Sequence, residues 1–286
     1  MSDKLTIIEI SIPHFTAEGT FHAAMSAAKD VADAGFNTVL ALPFMPIDRN
    51  LSRSPYAVID YTSVDSAMGT TDDVRAWIHH CHALGLDVVL DIPLNHTSPA
   101  HAWKLRDDWY SRDASGNAHA PVGTNWSDVH QLNHSHAPLV EELQRVLAFW
   151  LELGCDGFRY DAAAWMTNAC LDALIQGVNL LANRRMHHWC DSAVMMNKHP
   201  FTAFLDCESY RALMTEKSDE NWYASIHENA ILYLANHDTL NDGRSAIDVL
   251  GNRYHVLREL LQSGKHHRMQ SACEWRNPSA SYSFLR

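Results

Sequence analysis

The feature that most constrains the fold is an alternation of short apolar runs with amphipathic helical patterns along most of the chain. The first runs are "KLTIIEISIPHF", "NTVLALPFMPI" and "DVVLDIPLNH", and the segments between them are typical of helices that end near Gly35 and Gly85. Strands that are apolar on both faces and alternate with helices indicate a parallel sheet covered by helices. No Pro/Gly/Ser-rich linker interrupts the pattern, so we predict a single α/β domain over residues 1–286.

The spacing of the strands narrows this class to a (β/α)8 TIM barrel. The 286 residues are enough for such a barrel, which takes about 250. An irregular stretch at about 97–135 predicts an insertion after the third strand. Residues 209–237 are too few for two strand–helix units of about 30 residues each. We therefore predict a barrel abbreviated in its second half, whose open edge would favour a homo-oligomer.

Charge and composition restrict the partners. Lys and Arg number 22 against 34 Asp and Glu, a net charge of −12, which disfavours nucleic acid and anionic membranes as partners. No apolar run reaches the roughly 20 residues of a membrane span, and the start lacks the layout of a secretion signal, so a cytoplasmic location is expected. The six cysteines form no Cys-x-x-Cys pair, which indicates neither a zinc site nor a disulfide framework.

Polar residues stand at the carboxyl ends of the predicted strands. In a parallel barrel these ends open onto one face, so residues distant in sequence meet in one cleft. Three carboxylates beside an arginine and two histidines suit acid/base and nucleophilic chemistry on a neutral polar substrate, and cleavage of a glycosidic bond fits best. The residues are Asp91, Asn95, His96, Arg159, Asp161, Glu208, Asn236, His237 and Asp238.

Four motifs in order resemble those of the α-amylase superfamily. They are "DIPLNH" (91–96), "GFRYD" (157–161), "FLDCES" with Glu208, matched to a family glutamate that ends the fifth strand, and "ANHD" (235–238). Four motifs at successive strand ends are more specific than any one alone. The likeness covers about residues 5–277 and implies a retaining α-glycoside hydrolase or transglycosylase acting on maltooligosaccharide-like or small α-glucosides.

The resemblance also implies roles for individual residues. Asp161 would be the nucleophile, Glu208 the general acid and then base, and Asp238 the group that holds sugar hydroxyls as charge builds at the anomeric carbon. Arg159 would keep Asp161 ionised by lowering its pKa. The expected substrate-binding residues are Tyr56, as a stacking surface, with Asp91, His96, Arg159, His237 and Trp165.

Trp165 and Asn95 raise separate expectations. Trp165 stands where members of the resembled family often have His or Asn, so its ring could block an acceptor or aglycone subsite. The resemblance allows calcium at Asn95 with loop carbonyls, although the sequence shows no acidic cluster for it; no other cofactor is expected.

Several alternatives stay open from the residues themselves. Asp161 could cap a following helix, Asp206 competes with Glu208, and Tyr56 could be ordinary loop packing. At the level of function, the alternatives are a remodelled relative with a different reaction and a non-catalytic sugar-binding or scaffold protein. A metal-dependent barrel hydrolase is disfavoured because "SIPHF" offers only His14 at the first strand end.

Overall fold

The computed structural model describes residues 4–191, 199, 201–205, 229–238, 245–250, 254–263 and 267–277. Eight parallel strands close into a barrel, in which each strand pairs with its sequence neighbours and the last pairs with the first. The TIM-barrel prediction is therefore confirmed. The strands are β1 (Thr6–Ile10), β2 (Thr38–Ala41), β3 (Asp87–Ile92), β4 (Gly157–Tyr160), β5 (His187–Cys190), β6 (Ala203–Leu205), β7 (Ala230–Leu232) and β8 (His267–Ser271).

Helices cover the outside of the barrel. Their starts follow local rules: Thr70 caps the third helix in a reciprocal capping box with Asp73, and Pro138 occupies the first turn of the fourth. Among the helices of the described ranges, none is long and apolar enough to cross a membrane. They are α1 (Ile12–Phe15), α2 (Phe21–Asp33), α3 (Thr71–Ala83), α4 (Ala137–Glu152), α5 (Asn168–Ala182), α6 (Ala246–Leu250), α7 (Tyr254–Ser263) and α8 (Ala272–Arg276).

Two apolar layers hold the barrel together. The larger lies between strands and helices, where Trp77 and Trp150 are almost fully buried. The smaller fills the interior, so the barrel is a packed core rather than a pore. Its buried members are Ile7, Leu40, Val89, Trp189, Ala203, Leu205, Ile231, Tyr233 and Met269.

The second half of the barrel differs from the sequence prediction. The strand "HHWC", now β5, was missed because it lacks an apolar run, and the predicted helix over 168–186 ends at Ala182. The strand containing "FTAFL", predicted as the fifth, is therefore the sixth. Because the sheet is closed, the predicted open edge is wrong, and the argument for a homo-oligomer that depended on it no longer holds.

The predicted insertion follows β3 and lies over the cleft side of the barrel. A two-stranded antiparallel ribbon pairs His96–Thr97 with His130–Gln131, and the hydroxyl groups of Thr97 and Tyr110 lie 2.8 Å apart beneath it. The ribbon ties both ends of the insertion to the barrel, which fixes the loop that carries Trp126 beside the strand ends.

Candidate active site

A cleft of about 580 Å³ lies at the carboxyl ends of the barrel strands. It brings together side chains from β4, from the segments after β2, β3, β4, β5 and β7, and from the insertion, as expected for a barrel of this type. Of the residues predicted from sequence, those lining the cleft are Tyr56, His96, Arg159, Asp161, Trp165, His237 and Asp238.

Arg159 lies at the centre of the site. Its side chain on β4 is almost completely buried, and Nη1 donates to Oδ1 of Asp161 at 2.7 Å and to Oδ1 of Asp91 at 3.0 Å. Nη2 lies 3.4 Å from Oδ2 of Asp191. A buried charge is tolerated only when it is paired and hydrogen-bonded, so this guanidinium and its three carboxylates form one interdependent group.

The electrostatics at Asp161 differ from the prediction. Burial raises the pKa of Asp161 to about 7, against the opposing effect of Arg159, and the charges of Asp91 and Asp191 raise it further. Arg159 lowers this pKa, as predicted, but desolvation and the like charges of neighbouring carboxylates outweigh the guanidinium, so the net pKa is raised. Arg159 still orients the carboxylate through a short hydrogen bond.

The backbone after Asp161 excludes the helix-cap alternative. The 3-10 helix Ala163–Trp165 that comes next has no side-chain cap, and α5 is capped by Thr167, whose hydroxyl accepts from the backbone N–H of Cys170. Directly after Asp161, Ala162 has a left-handed backbone with φ 52°, which is strained for a residue with a Cβ. Its N–H lies 3.3 Å from Oδ2 of Asp191, so the strained turn is held by the site itself.

Tyr56 joins two sides of the cleft. Its hydroxyl donates to Oδ2 of Asp91 at 2.9 Å and lies 2.7 Å from Nε2 of His237. The two rings are stacked, with centroids 5.5 Å apart. Tyr56 is therefore more than a loop-packing residue, because its hydroxyl contacts both Asp91 and His237.

The two predicted histidines differ in charge at neutral pH. Burial lowers the pKa of His96 to about 4, which leaves it neutral. Burial also opposes protonation of His237, but the carboxylates of Asp238 and Glu9 raise its pKa to about 9. His237 is therefore an imidazolium at neutral pH, whereas His96 offers an uncharged ring.

Asp238 occupies the opposite rim of the cleft from the insertion. Its side chain is 77% exposed, and Oδ1 lies 3.5 Å from Nε2 of His237. The positive charge of His237 lowers the pKa of Asp238. This carboxylate is therefore ionised and accessible to a bound molecule.

Aromatic rings form the wall on the insertion side. Trp126 lies between His96 and Trp165, with ring centroids 5.6 Å and 5.4 Å away. Trp165 is 41% exposed, and its indole N–H donates to the carbonyl of Val122 at 3.1 Å. The ring is thus fixed at the cleft edge with part of its surface open.

Asp91, a predicted substrate-binding residue, does not line the cleft. Asp91 is buried beneath it, and its oxygens accept from Arg159 and Tyr56, so we now interpret it as a positioning group. Glu208 and its competitor Asp206 lie outside the described residues, and Glu208 stays a prediction.

Sequence reasoning missed two acidic residues of the site. Asp191 follows β5 and lines the cleft, and it was overlooked with its strand. Glu9 is fully buried on β1, where its position inside the apolar run "TIIEI" is the signal that could have found it, since an acid in such a run needs a partner.

The surroundings of Asn95 do not fit calcium. Its side-chain oxygen accepts from Nε2 of Gln131 at 2.8 Å, and its backbone oxygen accepts from the N–H of Leu132. Within the described part of the chain, no three His, Cys, Asp or Glu side chains are grouped to hold a metal. Among the described residues, the hydrogen-bond partners of Asn95 are Gln131, Leu132 and the ring nitrogen of His96, and not the oxygens of which a calcium shell consists.

Together, the closed parallel barrel and the carboxylate-lined cleft at its strand ends define a (β/α)8 barrel with its candidate site at the carboxyl ends of the strands. The family model "Alpha amylase, catalytic domain" matches residues 31–191, more than half of the chain. The chain belongs to the alpha-amylase family.

Individual relatives agree with this membership. "Alpha-amylase 3" of Dictyoglomus thermophilum is 32% identical over 145 residues, 44% of this chain and 29% of that protein. A "4-alpha-glucanotransferase" of Thermotoga neapolitana is 28% identical over 180 residues, 54% of this chain and 40% of that protein. The chain therefore matches well under two thirds of the length of these relatives.

Solved structures share the fold. The crystal structure of a "noncanonic maltogenic alpha-amylase AmyB" from Thermotoga neapolitana superposes with a TM-score of 0.83 at 22% identity, covering 98% of this chain and 70% of that one. An alpha-amylase from Lactobacillus plantarum gives 0.80 at 21% identity, covering 93% and 70%. At these identities the likeness concerns the fold alone.

Proposed function

We propose that this protein is a retaining enzyme acting on α-glucosides, which transfers a glucosyl or maltooligosyl group to water or to another sugar. The observation that carries the proposal is the convergence of Asp161 and Asp238 with Arg159 and His237 in one cleft. The printed names of the relatives include both hydrolases and glucanotransferases, which supports the substrate class and leaves both acceptors in the proposal.

Each carboxylate has a distinct chemical role in this mechanism. The Asp161 carboxylate attacks the anomeric carbon while the glycosidic oxygen leaves with a proton from the general acid, which gives a covalent glycosyl-enzyme. Water or a sugar hydroxyl then attacks that carbon and gives its proton to the same acid/base group. Asp238 is accessible and ionised, so it accepts hydrogen bonds from sugar hydroxyls and stabilises the positive charge that develops between the two steps.

For the acid/base group we propose Asp191 in place of Glu208. The resemblance puts the family's glutamate at the end of the fifth strand, and in this fold the residue after β5 is Asp191, whereas Glu208 follows the sixth strand. Asp191 faces the same cleft as Asp161 and contacts the same guanidinium. Since Asp is one methylene shorter than Glu, the leaving oxygen has to bind closer to the strand end.

Leaving-group dependence tests this assignment. An α-glucosyl fluoride needs no proton to depart, so loss of the acid/base group slows cleavage of maltooligosaccharides far more than that of the fluoride. We expect Asp191→Asn to show this selective loss with partial recovery by azide, and Glu208→Gln to retain both activities. The reverse pattern would restore Glu208 to the role.

Product analysis tests the function as a whole. Thin-layer chromatography of products from a maltooligosaccharide series, with Asp161→Asn as control, separates hydrolysis from transfer. A fluorinated glucosyl donor that traps a covalent adduct on Asp161 supports retention. If the native protein and Asp161→Asn show equal, negligible turnover but bind maltose, a non-catalytic sugar-binding protein is the better description.

Location and assembly belong to the same proposal. The cytoplasmic expectation comes from the sequence, and small diffusible α-glucosides would be accessible there. For assembly, the closed barrel removes the reason given for a homo-oligomer, so we propose that the described barrel binds its carbohydrate without a second copy.

A further inference from the structure

Glu9 is a completely buried acid that contacts the active site from behind. It lies on β1, and its side chain is 0% exposed. Oε1 accepts from Nδ1 of His237 at 2.7 Å, and Oε2 accepts from the backbone N–H of the same residue at 2.9 Å. Glu9 does not line the cleft, so a bound sugar is contacted by its partner and not by Glu9 itself.

The two bonds from Glu9 fix how the imidazole is used. With Nδ1 held by the carboxylate, Nε2 faces the cleft and lies 2.7 Å from the Tyr56 hydroxyl and 3.5 Å from Oδ1 of Asp238. An imidazolium donates from both nitrogens, so the Tyr56 hydroxyl accepts from His237 and is left to donate to Asp91. The direction of each hydrogen bond is thereby determined.

The same chain of contacts reaches the predicted nucleophile. Asp91 accepts from Arg159, and Arg159 donates to Asp161. Hydrogen bonds and ion pairs thus run without interruption from β1, through the segments after β7 and β2, to β3 and β4. These bonds hold the groups that they join in fixed positions, although the buried Nε of Arg159 has no hydrogen-bond partner among the described residues.

We propose that Glu9 is a positioning residue of the active site, which holds His237 charged and correctly turned so that Tyr56 and Asp238 are fixed for sugar binding. The inference deepens the proposed function and, for its kinetic consequences, rests on it. Glu9 does not touch the reacting atoms, and its effect passes through His237.

The charges around His237 indicate what removal of Glu9 changes. Within the described residues, Glu9, Asp238, Tyr56 and Arg159 face the ring, and the two carboxylates favour its protonated form while Arg159 opposes it. Glu9→Gln keeps the shape of the side chain and removes one of the two carboxylates. The burial that favours the neutral ring is then opposed by Asp238 alone.

Histidine-selective NMR measures this charge state without any substrate. His237 is identified among the 19 histidines by comparison with a His237→Gln spectrum. In the native protein we expect titration near pH 9 and an Nδ1 proton shifted to low field by its bond to a carboxylate. In Glu9→Gln we expect the titration midpoint to fall by at least about one pH unit, a tenfold change in proton affinity.

The matched control is Glu274→Gln. Glu274 is also buried, but it accepts from Tyr254 and Gln270 and has no bond to His237. Because the charges of Glu9 and Glu274 interact, we expect this variant to shift the His237 midpoint by much less than Glu9→Gln does. Equal shifts in both variants would mean a general effect of buried charge and would overturn the assignment.

Kinetics provide the second measurement. With a maltooligosaccharide as substrate, Glu9→Gln should lower kcat/KM about 10- to 100-fold, because misplacing a binding group by a fraction of an ångström costs this much, and should shift the upper limb of the pH profile downward. A native protein that is inactive on α-glucosides, with the NMR results as expected, would refute the proposed function and leave the role of Glu9 towards His237 supported. A His237 that is neutral in the native protein at pH 7, or lacks the low-field Nδ1 proton, overturns the inference even if Glu9→Gln does not fold.

Discussion

The cleft carboxylates at the β4 side and at the β7 side differ in burial and in the charged groups beside them. On the β4 side, Asp161 is largely buried and shares one guanidinium with two other carboxylates. On the β7 side, Asp238 is exposed and has the imidazolium of His237 as its neighbour. Burial raises the pKa of Asp161, whereas the neighbouring charge lowers that of Asp238.

This difference in burial predicts different effects of substitution on stability and on activity. A buried carboxylate among like charges costs folding free energy, and such a cost is retained only where the group serves a purpose. An exposed carboxylate costs little and contributes little to stability. We therefore expect substitution of the buried Arg159 or Asp161 to change both stability and activity, and substitution of the exposed Asp238 to change activity alone.

The largest effect is expected for Arg159→Met. This change leaves Asp91, Asp161 and Asp191 without their shared cation, and breaking a buried ion pair costs about 3–5 kcal/mol. Urea unfolding should show this loss, and activity should fall below detection. The control is Arg145→Met on α4, whose guanidinium is 64% exposed and pairs with Glu141, where a change within about 0.5 kcal/mol is expected. Equal effects of the two would show that the buried ion pairs of Arg159 contribute no more than an exposed pair.

The second prediction concerns Asp161→Asn. Activity should fall by about a thousandfold or more because the nucleophile is lost. The folded-state pKa of Asp161 is raised to about 7. Ionisation of this group therefore lowers the stability of the native state as pH rises from the unfolded pKa, near 4, to about 7. Removing the carboxylate should therefore raise the free energy of unfolding by about 1–3 kcal/mol at pH 8 and by much less at pH 4.

Thermal or urea unfolding at the two pH values measures this. The same pKa predicts that kcat/KM of the native enzyme rises as pH increases through about 7, since the ionised form attacks. A stability gain that does not depend on pH would assign the effect to something other than the charge of Asp161.

The barrel and most of the cleft residues could be predicted from the sequence, because of how the motifs are built. Motifs such as "GFRYD" combine a short buried strand with its functional end, so strand and site residue are recognised together. β5 was missed because "HHWC" has no apolar run. A short barrel strand needs few apolar residues that point into the barrel, and in β5 Trp189 is one of them. The error moved the fifth strand end from Asp191 to Glu208.

The pKa of Asp161 and the charge of His237 could not be predicted from the sequence, for a different reason. The pKa of Asp161 depends on Asp91 and Asp191, which are 70 and 30 residues away in the chain. The charge of His237 depends on Glu9, at the other end of the chain. The three aspartates meet through the pairing of β3, β4 and β5, whereas Glu9 reaches His237 only because β8 pairs with both β1 and β7.

On the β7 side, the third prediction is that Asp238→Asn separates activity from stability. The carboxylate that holds sugar hydroxyls is lost, so kcat/KM should fall about 100-fold or more, while the unfolding free energy stays within about 0.5 kcal/mol of native. Steady-state kinetics and urea unfolding on the same preparation test this. A stability change as large as that of Arg159→Met would remove the contrast between the two sides.

The smallest effect is expected at the cleft edge, for Trp165→Ala. Trp165 has part of its ring exposed and packs against Trp126, so a sugar beyond the scissile bond can stack on it. Loss of an aromatic contact of this kind is worth about 0.5–1.5 kcal/mol, which corresponds to a roughly 2- to 13-fold rise in KM for longer maltooligosaccharides, with little change for glucosyl fluoride. Trp165→Phe should keep most of the affinity because a ring remains.

Leu180→Ala on α5 is the control, because this side chain is 83% exposed and does not line the cleft. The opposite result at Trp165 is equally informative: if the alanine variant transfers to longer acceptors faster than the native enzyme, the indole narrows an acceptor subsite instead of binding sugar there. Comparing acceptors of increasing length in both variants distinguishes the two roles, since stacking predicts a loss that grows with length and obstruction predicts a gain.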